Sequence, residues 1–355
     1  MKTKTLLLLI ASILVVMQPH AATAYLSFTD IGTVSGKKVY GQAINSKGEV
    51  VGWLKDDNNI TTPFYWNGSE MIELSTSQGY AFDINDNSVI AGQYAPSGSN
   101  IAFAWTSTGG FVDFLPGTND SASTILNDGT VYGRYSGTVP SRWISASSYV
   151  DYAIAPGFGQ GQIRSVNPLN GHAVGNLYNW TGIAEDRQAI CWTSPSSYTL
   201  LTLPSAGHES MAMSINSSNQ IAGFAFDESN NGYPVFWNSS SEMGEILDSS
   251  GRAYFISETG DVFGSSGGVA VMWSKDITGW TAYDLNDYID PNSGYLLIEA
   301  HEINGQNQLV CIASNGNDIR TVVLNLNESI PVPEPASVLL VLSAVGTLFV
   351  RRIRK

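Results

Sequence analysis

Side chains of a type and spacing that could perform catalysis are scarce in this chain of 355 residues. A glycosidase needs two carboxyl groups about 5–10 Å apart, one to donate a proton and one to act as base or nucleophile. The candidates for such a pair are the acids beside predicted turns: Glu49, Asp83, Glu209 and Asp261. Their sequence spacing does not bring any two of them together. We therefore expect no catalytic residue, and a glycan hydrolase or lyase is the alternative.

Signals for a metal or cofactor are equally weak. His172, His208 and His301 form no HExxH-like pair, and the chain has no P-loop, dinucleotide fingerprint or nucleophile elbow. Calcium prefers about six to eight oxygen ligands from flexible loops. Oxygen-rich loops occur at 56–59, 227–228 and 284–290. None matches the spacing of an EF-hand, so we expect solvated acidic loops, no metal and no cofactor.

The most regular feature is a unit that recurs seven times. It contains an apolar residue, Asn, a Gly- or Asn-rich turn and an apolar strand that usually ends in Gly, as in GQAINSKGEVVGW at 41–53. The aligned positions are Asn45, Asn85, Asn127, Asn167, Asn216, Ser257 and Asn304, at intervals of 40, 42, 40, 49, 41 and 47 residues. A period of about 40–50 residues is typical of β-propeller blades.

Each unit contains the strands of one blade. A strand ending in an aromatic residue follows the hairpin, as in PFYW at 63–66, and a short fourth strand follows that one, as in EMIEL at 70–74. The seventh unit ends after its third strand, near 327, whereas 25–32 reads as an isolated fourth strand. We predict an all-β fold over 25–327: a seven-bladed β-propeller of four-stranded antiparallel blades, closed by the N-terminal strand. Two stacked β-sandwiches, or a ring of six or eight blades, are the alternatives.

The repeated residue types have structural explanations. Asn should start each hairpin turn, the closing Gly should permit close packing near the axis, and the strand-end tryptophans should fill the spaces between blades. Trp53, Trp180 and Trp280 lie off the repeat register and are the better candidates for stacking on sugars. Cys191 and Cys311 fall in the fourth and seventh units, which are not neighbours, and we predict two buried free thiols.

Residues 1–24 have the composition of a secretory signal peptide. Lys2 and Lys4 precede an apolar stretch from 6 to 17, and Ala22-Thr23-Ala24 forms a small-residue site before Tyr25. We predict cleavage after Ala24 and export across the inner membrane.

The C-terminus has three parts in a fixed order. Residues 328–335 are rich in proline and contain Pro333, Glu334 and Pro335, and the segment 336–355 contains an apolar run followed by a basic tail. The apolar run would span roughly 22 Å as a helix, somewhat less than the ~30 Å of a hydrocarbon core. The basic residues at its end would place the C-terminus in the cytoplasm.

This order resembles the PEP-CTERM sorting domain of Gram-negative bacteria. The resemblance rests on the Pro-Glu-Pro element, the apolar helix and the basic tip that includes Arg351 and Arg352. It implies processing by a membrane-embedded exosortase, with the chain anchored in the inner membrane only before processing and released to the cell surface or extracellular matrix after it. An ordinary C-terminal membrane anchor is the alternative.

The repeats are also similar to the HAF family of extracellular repeats. The pattern A-x-x-I-N-x-x-G-x-I-x-G is best matched at 43–52 and 212–223, with Ser257 and Cys311 as departures from it. The resemblance implies export and a β-propeller-like fold, and it brings no catalytic residues.

Charge restricts the partners. Between residues 25 and 327 the chain has 11 basic and 29 acidic residues, a net charge of about −18, so we expect no nucleic-acid partner. Together these features predict a noncatalytic cell-surface or matrix protein that binds exopolysaccharide, an envelope protein or its own neighbours. The sequence identifies no ligand-binding residue.

Overall fold

The computed structural model describes residues 25–114, 119–180, 185–203, 209–316 and 318–327. These residues form strands β1 to β28 and one short 3-10 helix, and the strands make seven sheets of four strands each. The predicted signal peptide, proline-rich linker, sorting helix and basic tail lie outside the described residues.

The seven sheets are called blades I to VII in chain order. Blade I consists of β2 (Lys38–Ile44), β3 (Val50–Lys55), β4 (Thr61–Trp66) and β5 (Met71–Glu73). Blade II consists of β6 (Gly79–Ile84), β7 (Ile90–Tyr94), β8 (Ile101–Thr106) and β9 (Gly110–Asp113). Blade III consists of β10 (Ser121–Ile125), β11 (Val131–Tyr135), β12 (Val139–Ser145) and β13 (Ser148–Asp151). Blade IV consists of β14 (Gln160–Val166), β15 (Ala173–Trp180), β16 (Glu185–Ser194) and β17 (Ser197–Leu200).

The remaining blades follow the same order. Blade V consists of β18 (Glu209–Ile215), β19 (Ile221–Phe226), β20 (Gly232–Trp237) and β21 (Glu245–Ile246). Blade VI consists of β22 (Arg252–Ile256), β23 (Val262–Ser266), β24 (Val269–Asp276) and β25 (Gly279–Asp284), after which the 3-10 helix spans Leu285–Tyr288. Blade VII consists of β26 (Leu296–Ile303), β27 (Gln308–Ser314), β28 (Ile319–Asn325) and β1 (Phe28–Asp30). The prediction of seven antiparallel four-stranded blades is confirmed.

The first strand of each blade lines the axis of the propeller and contains a β-bulge. In blade I, Gly41 pairs with Gly52 and Ala43 pairs with Val51, so Gln42 has no partner on β3. The first strands of the other blades have the same interruption next to the glycine or its equivalent. A bulge bends its strand and redirects one side chain.

The bulge explains the closing glycine of the repeat. A Cβ atom on Gly52 would lie 2.0 Å from the carbonyl oxygen of Tyr40, and one on Gly133 would lie 1.9 Å from that of Ser121. The same contact, between 1.9 and 2.3 Å, occurs at Gly92, Gly175, Gly223 and Gly264. These glycines are needed because the bulged backbone crosses close to them, and the predicted crowding near the axis is therefore due to main-chain atoms.

Tryptophan packing joins neighbouring blades, as predicted. Trp192 of blade IV packs with Tyr152 of the preceding unit and donates its Nε1–H to the carbonyl of Ala153, 2.6 Å away. Trp237 of blade V lies in a cluster with residues of blade IV and donates to the carbonyl of Thr202, 2.9 Å away. Four of the six strand-end tryptophans are buried: Trp143, Trp192, Trp237 and Trp273. Such interfaces remove large aromatic surfaces from water.

Blades VII and I meet in a shared core. Val310 and Val323 of blade VII pack in one cluster with Val39, Val50 and Phe64 of blade I. At the outer edge of blade VII, β1 pairs antiparallel with β28 in the register Phe28 to Leu324 and Asp30 to Val322. The N-terminal and C-terminal strands of the repeat region therefore belong to the same sheet.

Two further details concern predicted residues. Cys191 and Cys311 are both buried and unpaired, as predicted.

The alignment of Asn127 with Asn45 is wrong by one residue, because Ile44 pairs with Val50 and Ile125 pairs with Val131 across their turns. Leu126 therefore occupies the Asn position in blade III.

Candidate functional site

The repeated Asn has two functions in the structure. Its Oδ1 accepts backbone N–H groups of its own turn, as Asn45 does from Lys47 and Glu49 at 3.0 Å each. Its Nδ2 donates to a backbone carbonyl of the next blade, as Asn45 does to Asn85 at 3.1 Å. Equivalent bonds between blades run from Asn85 to Leu126, Asn167 to Ser217, Asn216 to Ser257 and Asn304 to Asn45. The predicted turn function is confirmed, and the bond between blades adds to it.

The bulges direct one side chain from each blade into the axial channel. The first residues that are unpaired at these bulges and line the channel cavity are Gln42, Phe82, Ser123, Arg164, Met213, Tyr254 and His301. Each stands three residues before the position of the repeated Asn. Apart from His301, which was considered as a metal ligand, these residues were not predicted from the sequence, because residue type varies at this position from unit to unit. The one feature that these residues share in the sequence is their place in the repeat, three residues before the repeated Asn.

Two carboxyl groups line the channel cavity, which has a volume of about 130 Å³. Asp83 of blade II and Glu302 of blade VII each stand two residues before the repeated Asn, on either side of blade I. Burial raises the pKa of Asp83. Burial, followed by the negative charge of Asp83, raises the pKa of Glu302 well above its ordinary range. At least part of this pair is therefore protonated at a pH where free carboxyl groups are charged.

The structure does not bring the four predicted candidate acids together. Of these four, only Asp83 lines the channel cavity. Glu49 lies in the Asn turn of blade I, where it accepts hydrogen bonds from Asn45, Tyr65 and Ser88 at 2.5–2.6 Å. Glu209 begins β18 and pairs with Arg187 at 3.6 Å, and Asp261 lies in the turn before β23. Glu302 was missed because its position holds small or apolar residues in most units.

A larger cavity opens at one mouth of the channel. We call the face at which the first strand of each blade begins the upper face, and the cavity there, of about 480 Å³, the upper-mouth cavity. Four arginines from blades III, IV and VI line it: Arg134, Arg164, Arg187 and Arg252. The interval Tyr25–Asn327 contains only six arginines, so most of them surround this cavity.

Arg164 is the innermost of these arginines and lines both cavities. Its Nε is buried and has no hydrogen-bond partner among the described residues. Burial, the charge of Arg134 and the charge of Arg187 lower the pKa of Arg164 to about 10, while Tyr178 acts in the opposite direction. Nε of Arg134 and Oδ1 of Asn176 are likewise buried and without a partner in the described part of the chain.

Aromatic rings alternate with the arginines around the upper-mouth cavity. The Arg252 guanidinium lies 5.3 Å from the centre of the Phe224 ring and 5.6 Å from that of Phe226. Arg187 lies 5.8 Å from the centre of Phe226. Arg134 donates through Nη1 to the hydroxyl of Tyr178 at 2.6 Å. Cation–π contacts and this hydrogen bond hold the side chains in place.

A charged network continues the cavity wall into blade VII. Glu299 accepts from the Tyr254 hydroxyl at 3.4 Å and lies 3.1 Å from Nε2 of His301, whose ring stacks on Tyr254 with centroids 4.8 Å apart. Burial acts to raise the pKa of Glu299, but the hydrogen bonds of His301 and Tyr254 and the charge of Arg252 produce a net lowering. Burial and the charge of Glu299 raise the pKa of Tyr40 in blade I.

Blades I and II add a further aromatic group near the channel. Trp53 stacks on Tyr40 with ring centres 5.7 Å apart and meets Tyr80 edge to face at 5.4 Å. Tyr80 in turn stacks on Phe82, a channel-lining residue, at 5.7 Å. These ring contacts link Trp53, one of the three tryptophans outside the repeat register, to the channel lining. Trp280 lies on blade VI and donates to Glu245, and the side chain of Trp180 is outside the described part of the molecule.

The predicted histidines and acidic loops do not converge. His172 lies in the Asn turn of blade IV, His301 in the channel, and His208 outside the described residues. Asp56 and Asp227 accept backbone N–H groups of their own loops. The side-chain and backbone N–H groups of Asn231 both donate to Asp227 and help to lower its pKa to about 2. Within the described ranges, no three His, Cys, Asp or Glu side chains form a group that could hold a metal ion.

The sorting residues lie mostly outside the described ranges. Ala22, Ala24, Pro333, Glu334, Pro335, Arg351 and Arg352 belong to this group. Tyr25 is exposed at the start of the described chain. Across the parts of 25–327 that are described, the structure contains no helix that could cross a membrane.

Comparison with known proteins supports the fold alone. No protein-family model matches the chain, and no curated protein matches it. The chain is similar to the β-propeller domain of the Trilobed protease from Pyrococcus furiosus, a structure described as having an open velcro topology. The TM-score is 0.51 at 12% sequence identity, over 84% of this chain and 100% of that domain. At this identity the similarity concerns the seven-bladed propeller architecture and not the activity of the protease.

Proposed function

We propose that this protein is an exported, noncatalytic propeller of a Gram-negative cell surface or extracellular matrix that binds a ligand in its upper-mouth cavity. The single observation behind the binding role is the ring of arginines and aromatic side chains around an open cavity of about 480 Å³. This volume is within the range of about 300–1,000 Å³ that small-molecule sites occupy. Exopolysaccharide is the proposed ligand class, and an envelope protein is the other candidate partner.

The noncatalytic part of the proposal rests on how the channel acids are bonded. Oδ1 of Asp83 accepts the backbone N–H of Ile84 at 2.7 Å. Its Oδ2 accepts the Thr124 hydroxyl at 2.6 Å and the Ile125 N–H at 2.8 Å. Oδ2 thus joins blade II to blade III, while Oδ1 is occupied within β6, and a carboxyl group with both oxygens engaged in this way is a poor proton donor or nucleophile.

We further propose that the N-terminal strand closes the ring and that the sorting tail is an appendage to it. Pairing of β1 with β28 supports this, because it adds a fourth strand to the last blade and covers its outer edge. Cleavage after Ala24 would leave β1 in place. Exosortase processing near Pro333-Glu334-Pro335 would likewise leave β28 intact and release the protein from the inner membrane.

The experiment for the binding role is a screen of the exported protein against purified polysaccharides. Binding and turnover are measured in parallel on the same samples. We expect saturable binding without release of new reducing ends. Turnover would overturn the noncatalytic role, and the absence of binding to any polysaccharide would overturn the glycan ligand.

The experiment for sorting is mass spectrometry of the C-terminus of the surface form. We expect a peptide that ends before the basic tail. An intact Lys355 on the surface form would contradict exosortase processing.

A glycan hydrolase or lyase is the second candidate, and one observation favours it. Asp83 and Glu302 both line the channel, and both have raised pKa values, as a general acid requires. If this candidate were correct, the screen would detect turnover, and Glu302→Gln would abolish it while leaving polysaccharide binding intact.

A further inference from the structure

The distribution of positive charge over the propeller is unusual for so acidic a protein. The body contains 11 basic residues against 29 acidic ones. Four of its arginines nevertheless converge on the upper-mouth cavity: Arg134, Arg164, Arg187 and Arg252. Arg320, which lies outside this cavity, pairs with Asp318 at 2.7 Å.

Two acidic side chains of the described residues interact with this cluster. Glu209 pairs with Arg187 at 3.6 Å, and Glu299 lies on the blade VII side near Arg252. Arg134 and Arg187 repel the charge of Arg164, and Tyr178 acts in the opposite direction. Gathering like charges in a partly dehydrated cavity is unfavourable unless an anion joins them.

Polar atoms without hydrogen-bond partners also indicate a ligand in this cavity. Nε of Arg164, Nε of Arg134 and Oδ1 of Asn176 all lie in the cavity wall, buried and without a partner among the described residues. Buried polar atoms in folded proteins are nearly always hydrogen-bonded. Two donors and one acceptor fit a ligand that carries both an oxyanion and hydroxyl groups.

The aromatic side chains of the cavity indicate the rest of the ligand. Phe224, Phe226 and Tyr178 lie beside the guanidinium groups and offer flat apolar surfaces. Flat apolar rings suit the C–H face of a pyranose, while guanidinium groups bind carboxylate, sulfate or phosphate through paired hydrogen bonds. The cavity accommodates a few sugar rings, and the net charge of about −18 disfavours a long polyanion along the body.

We propose that the upper-mouth cavity binds an oxyanion-bearing saccharide, with Arg164 and Arg134 holding the anionic group and Phe224 and Phe226 supporting a sugar ring. This inference rests on the proposed binding function and specifies its ligand class. It differs from that function in requiring a charged ligand, which a neutral polysaccharide does not supply.

Calorimetric titration of the exported protein tests the inference with four probes. Trigalacturonate supplies carboxylates, and a sulfated disaccharide supplies sulfate. Maltotriose is the neutral control with the same number of rings as trigalacturonate. Inorganic phosphate is an anion without a ring. We expect trigalacturonate or the sulfated disaccharide to bind at least about tenfold more tightly than both maltotriose and phosphate, with an affinity that falls as salt rises.

Two variants with the same change of charge locate the site. Arg164→Gln should weaken binding of the acidic saccharide about tenfold or more, because it removes a charge-assisted hydrogen bond. Arg320→Gln, which lies on blade VII outside the cavity, should change it less than about twofold. Arg134→Gln serves as the second cavity variant, and circular dichroism checks that all three are folded.

The outcomes separate this inference from the function on which it rests. Equal binding of maltotriose and trigalacturonate, unaffected by Arg164→Gln, would overturn the charged ligand and leave glycan binding in place. Phosphate binding as tight as that of the saccharides would overturn the role of the sugar ring. Failure of every saccharide to bind a folded protein would overturn both.

Discussion

Asn304 of blade VII donates its Nδ2–H to the backbone carbonyl of Asn45 of blade I, at 2.9 Å. These residues are far apart in the chain and occupy the same position in the first and last repeats. The bond has the same geometry as the Asn bonds between sequential blades. Blade VII is therefore bonded to blade I by the same type of contact that joins sequential blades.

This contact predicts a large effect of Asn304→Ala. The substitution removes a buried donor and leaves the carbonyl of Asn45 and the turn amides of Gln306 and Gln308 without that partner. We expect a loss of about 1–3 kcal/mol in the free energy of unfolding, measured by urea denaturation. Asn127→Ala is the control, because Asn127 is exposed and bonds to Asp86 at the surface. It should lose less than about 1 kcal/mol, because its bonds to blade II are exposed to water. An equal loss at both sites would contradict the contribution of the buried bond.

The bulge geometry predicts that Gly133→Ala is severely destabilising. The new Cβ would lie 1.9 Å from the carbonyl oxygen of Ser121, so a strand must move. We expect a loss of about 3 kcal/mol or more, or failure to fold. Gly305→Ala is the matched control, since its Cβ would meet nothing within 4 Å. It should shift stability by less than about 0.5 kcal/mol, as thermal unfolding can show.

The channel carboxyl groups predict a stability that falls as pH rises. Their folded-state pKa values are raised, so above the ordinary value of 4.5 for Glu302 the folded state binds more protons than the unfolded state. Stability from this source is complete below the unfolded pKa and is lost as pH increases through the folded one. Glu302→Gln should flatten that decline in urea titrations taken at several pH values. An unchanged slope above about pH 4.5 would contradict the raised pKa of Glu302.

The arginine cluster predicts a conflict between stability and binding at one residue. Arg164→Met removes a buried charge that Arg134 and Arg187 repel. We expect the free energy of unfolding to increase by about 1 kcal/mol, while affinity for trigalacturonate falls. Arg320→Met, which breaks the pair with Asp318, should instead reduce stability by about 0–1 kcal/mol without changing binding. A destabilised Arg164→Met protein would indicate that Arg164 is a structural residue.

Local chemistry made the blades predictable. The alternation of apolar residues, the Asn/Gly turns and the strand-end tryptophans act over a few residues, and each predicted first hairpin is present in the structure. The error at Asn127 has a physical cause. Alignment by residue type selected an Asn, whereas pairing of Ile125 with Val131 places Leu126 at that position. Register is decided by the hydrophobic pattern of both strands and not by one polar residue.

The candidate site could be predicted only in part. Asp83 was recognised as an acid next to a turn, and Trp53 as an aromatic residue outside the repeat register. Glu302 and Arg164 were not recognised, because a bulge leaves no clear mark in the residue types around it. Their common feature is a position in the repeat, and that position acquires meaning only when the inner strand is known to bend toward the axis.

The sequence by itself determined the repeating unit of this protein: a hairpin capped by Asn, a glycine beside it and a buried aromatic residue. It also determined that the surface is acidic. These properties follow from short-range hydrogen bonding, side-chain volume and composition. The tertiary structure alone decided which side chains meet. Arg134, Arg164, Arg187 and Arg252 belong to three blades and share no local motif. They line one cavity because the propeller arranges blades III, IV and VI around a common axis.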